Sequence, residues 1–127
     1  MARDHRRLRV FQAAHALTVT IYKETLSFPR DEWYGLRAQL RRATASIASN
    51  IVEGNARRGT LEYVNFLNIA RGSAAEAAYL VFLASELGYF SVNVGAALQR
   101  EYDQLIPQLE TLVQRMHSLA NHPKTKD

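Results

Sequence analysis

The side chains of this 127-residue chain that could do chemistry are its arginines, histidines, glutamates and serines, because cysteine is absent. Without cysteine there is no thiol nucleophile, zinc knuckle or disulfide framework, and a reducing cytoplasm suits the chain. Paired metal ions held among helices need inward glutamates and Glu-x-x-His steps. No glutamate here has a histidine three positions later, and His5, His15, His117 and His122 form no i, i+4 pair. Ser46, Ser49 and Ser73 have no evident histidine to take up their protons, and no glycine-rich loop follows a strand to hold phosphate. The expectation is a protein that is not an enzyme, with no catalytic residues, metal, cofactor or small-molecule substrate.

Arginine is the exception. The chain carries a net charge of +4 with a sequence pI near 9.7, and 13 of its 16 cationic residues are arginine. Residues 1–60 hold 11 Lys/Arg against 5 Asp/Glu, and residues 61–127 hold 5 against 7, so the first half carries +6 and the second −2. A guanidinium fork matches phosphate oxygens better than an ammonium does. Arg37, Arg41, Arg57 and Arg58 are the candidate nucleic-acid contacts, with Arg3, Arg6, Arg7 and Arg9 as an auxiliary arm. An arginine-using genome would also decorate any solvated helix this way, so the charge alone does not choose a partner. Trp33, Tyr34 and Tyr89 fall near chain connections and are expected to pack over helix ends, which would leave no base-stacking platform and no sequence-specific reading.

These residues must be positioned by helices. Leu98, Tyr102, Leu105, Leu109, Leu112, Met116 and Leu119 recur at spacings of four and three, a seam that no strand produces. Phe66, Ala70, Ser73, Ala77, Leu80, Ala84 and Leu87 repeat it with smaller side chains that allow close approach of a neighbour. Val10, Ala14, Leu17 and Ile21 form a third row, widened by Phe11 and Thr18, and Leu36, Leu40, Ala43, Ile47 and Ile51 a fourth. Pro29, Gly54, Thr60, Gly88 and Ser91 or Asn93 punctuate the rows as helix starts, stops and caps. The spacing predicts helices over about 6–26, 30–53, 60–87 and 92–120, with short connections. The expected fold is all-α, an up-down-up-down antiparallel four-helix bundle forming one domain over residues 1–127. Pro107 falls inside the fourth helix, where it removes one backbone donor, and Gly72 inside the third calls for a close helix neighbour to offset its low propensity. The opening residues are basic but lead into no unbroken apolar run, so neither a signal peptide nor a membrane span is expected.

The segment "QLRRATASIASNIVEG" carries a second stripe beside its apolar row. At about 100° per residue, Gln39, Arg42, Ser46, Asn50 and Glu53 share a sector roughly 80° wide. Groups at the edge of a core must find hydrogen-bond partners or cost about 1–3 kcal/mol each. Arg71 and Glu76 of the third helix are the candidate partners in a structural polar network, with the same stripe on a second subunit as the alternative.

"FP" at 28–29, "YGLRAQLRRA" at 34–43, "SIASNIVEG" at 46–54, "FLNIARGSAAE" at 66–76 and "ELGY" at 86–89 together resemble a bacterial family of small bundle proteins. That family is named for open reading frames within intervening sequences of the large-subunit ribosomal RNA gene. The resemblance covers nearly all of the second and third helices and, more loosely, the first. It implies a homo-oligomer, commonly a pentamer, with a link to RNA. The architecture is also similar to the accessory variability protein of diversity-generating retroelements, a basic pentamer that engages nucleic acid and a reverse transcriptase, by analogy of fold alone. After Gly54 the chain reads "NARRG", where members often place an aromatic residue and a glycine before the basic pair. Arg57 and Arg58 remain without that aromatic. The expected function is a non-enzymatic oligomeric bundle whose arginines contact RNA or a ribonucleoprotein. The alternative is a protein interaction module binding a partner enzyme, with no nucleic-acid role.

Overall fold

The computed structural model describes residues 4–121, apart from the side chain of Arg7. Four α-helices, α1 (Arg9–Glu24), α2 (Leu36–Asn55), α3 (Thr60–Glu86) and α4 (Val92–Asn121), pack in sequential order, and α4 returns against α1. Arg42 meets Glu76 and, one turn on, Ser46 meets Ser73, so α2 and α3 run antiparallel. The all-α up-down bundle expected from the spacing is the fold. None of the helices is long and apolar enough, among the described residues, to cross a membrane.

The apolar rows of α1 and α2 are buried as expected: Val10, Ala14, Leu17 and Ile21 face Leu36, Leu40, Ala43, Ile47 and Ile51. Burying each of these larger aliphatic side chains contributes about 1.5–3 kcal/mol. In α3 the core row is wider than the spacing indicated: Tyr63, Val64, Leu67, Ala74 and Val81 join Ala70, Ala77, Leu80 and Ala84, while Leu87 stands half exposed. In α4 the seam holds from Leu98 to Leu109 and continues through Val113, whereas Leu119 is half exposed. Thr44 and Tyr102, both fully buried, share a 2.7 Å hydrogen bond that pins α2 to α4 across the centre of the core.

Helix boundaries differ from the expected ones where local hydrogen bonds intervene. The first helix divides: Asp4 accepts from Arg6 N to cap a 3-10 turn over His5–Arg7, and α1 starts only after Leu8. The second does not begin at Pro29. A 3-10 turn over Arg30–Glu32 precedes Gly35, and the Glu32 carboxylate accepts from Leu36 N at 3.0 Å to cap α2. Gly54 lies inside α2 rather than after it, because it sits where α2 crosses α3: a Cβ there would stand 2.7 Å from Phe66 Cβ and 3.0 Å from Tyr63 Cδ1. Thr60 is the first residue of α3 and Gly59 its cap. Gly88, at φ 78°, ends α3 in the paired pattern of Tyr89 N to Ala84 O and Gly88 N to Ser85 O. Ser91 caps α4 through Val94 N, and Pro107 lies inside α4 as the row required. Gly72 has no neighbour within 4 Å of where a Cβ would be, so the close contact expected there is not made within the chain.

Candidate nucleic-acid interface

The four candidate arginines do not form one patch. Arg37 and Arg41 lie in the first turns of α2, and Arg57 and Arg58 follow its end. At about 1.5 Å per residue the two pairs are roughly 25–30 Å apart, at opposite ends of the bundle.

Arg41 is engaged by the protein itself. Its Nε donates to Thr25 Oγ1 at 2.9 Å, its Nη2 donates to Tyr22 O at 3.0 Å, and its guanidinium lies 4.6 Å from the centre of the Tyr22 ring. Thr25 Oγ1 in turn donates to Ile21 O. The last carbonyls of α1 thus receive a cation from α2, where the helix dipole favours positive charge. Arg37 lies over Trp33 at 4.6 Å, and Arg30 lies near the same ring at 5.4 Å. Trp33 donates through Nε1 to Phe28 O, which fixes the indole. Its neighbour Tyr34 is 95% exposed. The expectation that all three aromatics cover helix ends therefore fails at Tyr34, while Trp33 and Tyr89 do pack. Tyr89 donates to Glu32 Oε2 at 3.1 Å, and burial together with that carboxylate raises its pKa.

At the far end, Arg57 bridges Glu53 at 3.2 Å and lies 4.9 Å over Phe66, while Arg58 is exposed. Of the auxiliary arm, Arg6 pairs with Asp4, Arg9 is exposed at the start of α1, and Arg3 and the Arg7 side chain lie outside the described residues. His122 lies outside them as well. His15 stacks on Phe11 and His5 meets the same ring edge-on. Among the described residues no group of histidine and carboxylate side chains is arranged to hold a metal ion.

The polar stripe of α2 forms in part. Arg42 pairs with Glu76 at 3.1 Å, Ser46 and Ser73 share a 2.8 Å hydrogen bond, and Asn50 donates to Ser46 O and Ser46 Oγ. Glu53 accepts from Arg57, just past the end of its own helix, rather than reaching across to α3. Gln39 and Arg71 are exposed, so the partner that α3 supplies at the middle of the seam is Ser73, not Arg71. This stripe is a hydrogen-bonded seam between α2 and α3.

A surface the spacing did not reveal lies on the outside of α3. Leu61, Ile69, Ala75, Tyr79 and Phe82 are exposed there around Gly72, with Tyr79 at 59% and Phe82 at 54%. Apolar residues thus stand on the outer as well as the inner side of the helix, interrupted outside by exposed Asn65 and Glu76. Its four core-facing small residues dominated the sequence pattern and hid the second face.

Comparison with known proteins places this geometry. The family model described as 23S rRNA-intervening sequence protein matches residues 6–111. No curated protein matches the chain. A crystal structure from Bacteroides thetaiotaomicron, described as a protein with unknown function from the S23 ribosomal protein family, superposes with a TM-score of 0.76 at 20% identity, covering 83% of this chain and 95% of that one. At that identity the likeness is one of fold.

Proposed function

The chain belongs to the 23S rRNA-intervening sequence protein family, and from that premise we propose that it is a non-enzymatic, cytoplasmic, homo-oligomeric bundle that contacts RNA through arginine and aromatic surfaces. The observation that carries the RNA contact is the exposed Tyr34 ring, next in sequence to Trp33, over which Arg30 and Arg37 are held. An exposed ring offers a base a stacking partner, and two guanidinium groups held on the adjacent residue offer its phosphates cations. Arg57 and Arg58 add phosphate contacts at the other end, whereas Arg41 serves chiefly to hold α1 to α2.

Assembly draws support from the α3 outer face. Val19 on α1 and Leu26 just past its end expose smaller apolar surface on the side of α1, the helix diagonal to α3 in the bundle. Two different apolar faces on opposite sides suit a head-to-tail contact, which closes into a ring such as a pentamer. A ring repeats each weak cationic patch, and linked weak contacts sum through effective concentration. The same α3 face supports the second reading, a module that binds a protein partner and no nucleic acid.

Salt separates the two. With three or four phosphate contacts on single-stranded RNA, affinity should fall roughly 20- to 50-fold between 50 and 200 mM salt. Tyr34→Ala should weaken binding by about tenfold or more. Fluorescence anisotropy with a labelled single-stranded RNA measures both. Binding indifferent to salt, and unchanged by Tyr34→Ala combined with Arg57→Ala and Arg58→Ala, would leave the protein-interaction module as the function.

A further inference from the structure

A cleft of about 440 Å³ opens between the start of α1 and the C-terminal half of α4, away from the Trp33–Tyr34 patch. Arg9 from α1 and Arg115 from α4 line it, together with Leu8, Pro107, Thr111 and Leu112. We propose that this cleft binds a phosphomonoester attached to an apolar or aromatic body, of which a nucleoside monophosphate is the simplest form.

Several features converge on that chemistry. The volume is that of a site for one small ligand. The two guanidinium groups come from different helices, and among the described residues neither is engaged by a carboxylate, unlike Arg42 and Arg57, which have Glu76 and Glu53. Among the described residues no carboxylate lines the cleft, so an anion entering it meets two forks and the Thr111 hydroxyl without like-charge repulsion from its lining. Gln108 apart, the remaining wall is apolar: Leu8, Val10, Pro107 and Leu112 offer nothing to a bare phosphate but cover the body of a larger ligand. The uncapped start of α1, which has no acidic residue in its first turn, adds a field of the same sign. Among the described residues no histidine or carboxylate lines the cleft, and the proposal is one of binding alone.

The site is independent of RNA contact at Tyr34, and the two fail separately. Isotope-labelled protein titrated with AMP should show amide shifts at Leu8, Thr111 and Leu112, with adenosine and inorganic phosphate each at least tenfold weaker. Arg9→Ala and Arg115→Ala should each weaken AMP about tenfold, while Arg71→Ala, on exposed α3 surface, leaves it unchanged. Circular dichroism checks that each variant stays folded, as exposed arginines lead one to expect. A short RNA carrying a 5′-phosphate that binds as AMP does, and loses binding as a 5′-hydroxyl, identifies the ligand source as an RNA end; exclusion of that RNA identifies a free nucleotide. Absence of shifts at millimolar AMP, phosphate binding as tightly as AMP, or AMP affinity unmoved in the double variant would overturn the proposal.

Discussion

Two glycines in neighbouring helices should respond oppositely to the same substitution. Gly72, mid-way along α3, has open space where a Cβ would go, and Gly54, in the last turn of α2, has Phe66 Cβ at 2.7 Å and Tyr63 Cδ1 at 3.0 Å. In a helix interior Gly→Ala contributes about 1 kcal/mol of stability from backbone entropy alone. Gly72→Ala should realise that gain in the isolated chain. An unfolding entropy of about 2.1 cal/mol/K per residue gives roughly 0.27 kcal/mol/K for 127 residues, so Tm should rise about 4 °C. Gly54→Ala has the same entropic gain but drives a methyl group into a helix crossing. Overpacking costs about 1–3 kcal/mol, and contact with a Cβ leaves little room to yield, so a net loss of about 1–2 kcal/mol and a Tm lower by about 4–7 °C are expected. Thermal unfolding at concentrations below association measures both, and sedimentation at higher concentration reads the interface. If copies meet across α3, Gly72→Ala stabilises the subunit while weakening the assembly. A Gly72→Ala subunit less stable than the parent, or a Gly54→Ala subunit more stable, would refute this account of where the helices touch.

Tyr102→Phe removes the hydrogen bond to Thr44 in the core and should cost about 1–2 kcal/mol in thermal or denaturant unfolding. Burial raises the Tyr102 pKa above its ordinary 10.0, so the folded state keeps the phenol proton where the unfolded chain has lost it. Stability should therefore hold steady below pH 10 and fall above it by about 1.4 kcal/mol per pH unit from this group, a slope that Tyr102→Phe removes and that base titration of the unfolding midpoint detects. Glu32→Ala should cost about 1–2 kcal/mol by uncapping Leu36 N and releasing Tyr89, and the loss should appear as faster amide exchange in the first turn of α2.

The four helices were legible because their apolar rows repeat at helical spacing and burial follows that spacing, from Val10 through Ile51 to Leu109. What escaped was set by contacts between residues far apart or by competition at helix ends. Pro29 reads as the start of the second helix, yet Glu32 still lies before that helix and reaches forward to cap it, with Gly35 between them. Ser73 looks like one more small residue of the α3 row until Ser46 is seen opposite. Gly72 suggested a contact inside the bundle, and the structure instead leaves it on an open apolar face. The candidate arginines were identified by type, but their partners were not: Arg41 belongs to the end of α1 because α1 and α2 are antiparallel, a fact of topology that no local window contains. The Arg9–Arg115 cleft is likewise invisible in sequence, since it joins residues from the two ends of the chain.

Trp33 is the single tryptophan of the chain, and it is fixed by its bond to Phe28 O with Arg30 and Arg37 beside it. Indole emission responds to the charges around the ring, so this molecule contains its own optical reporter at the surface where a polyanion would draw those two cations away. Light from one residue can follow occupancy there without any attached dye.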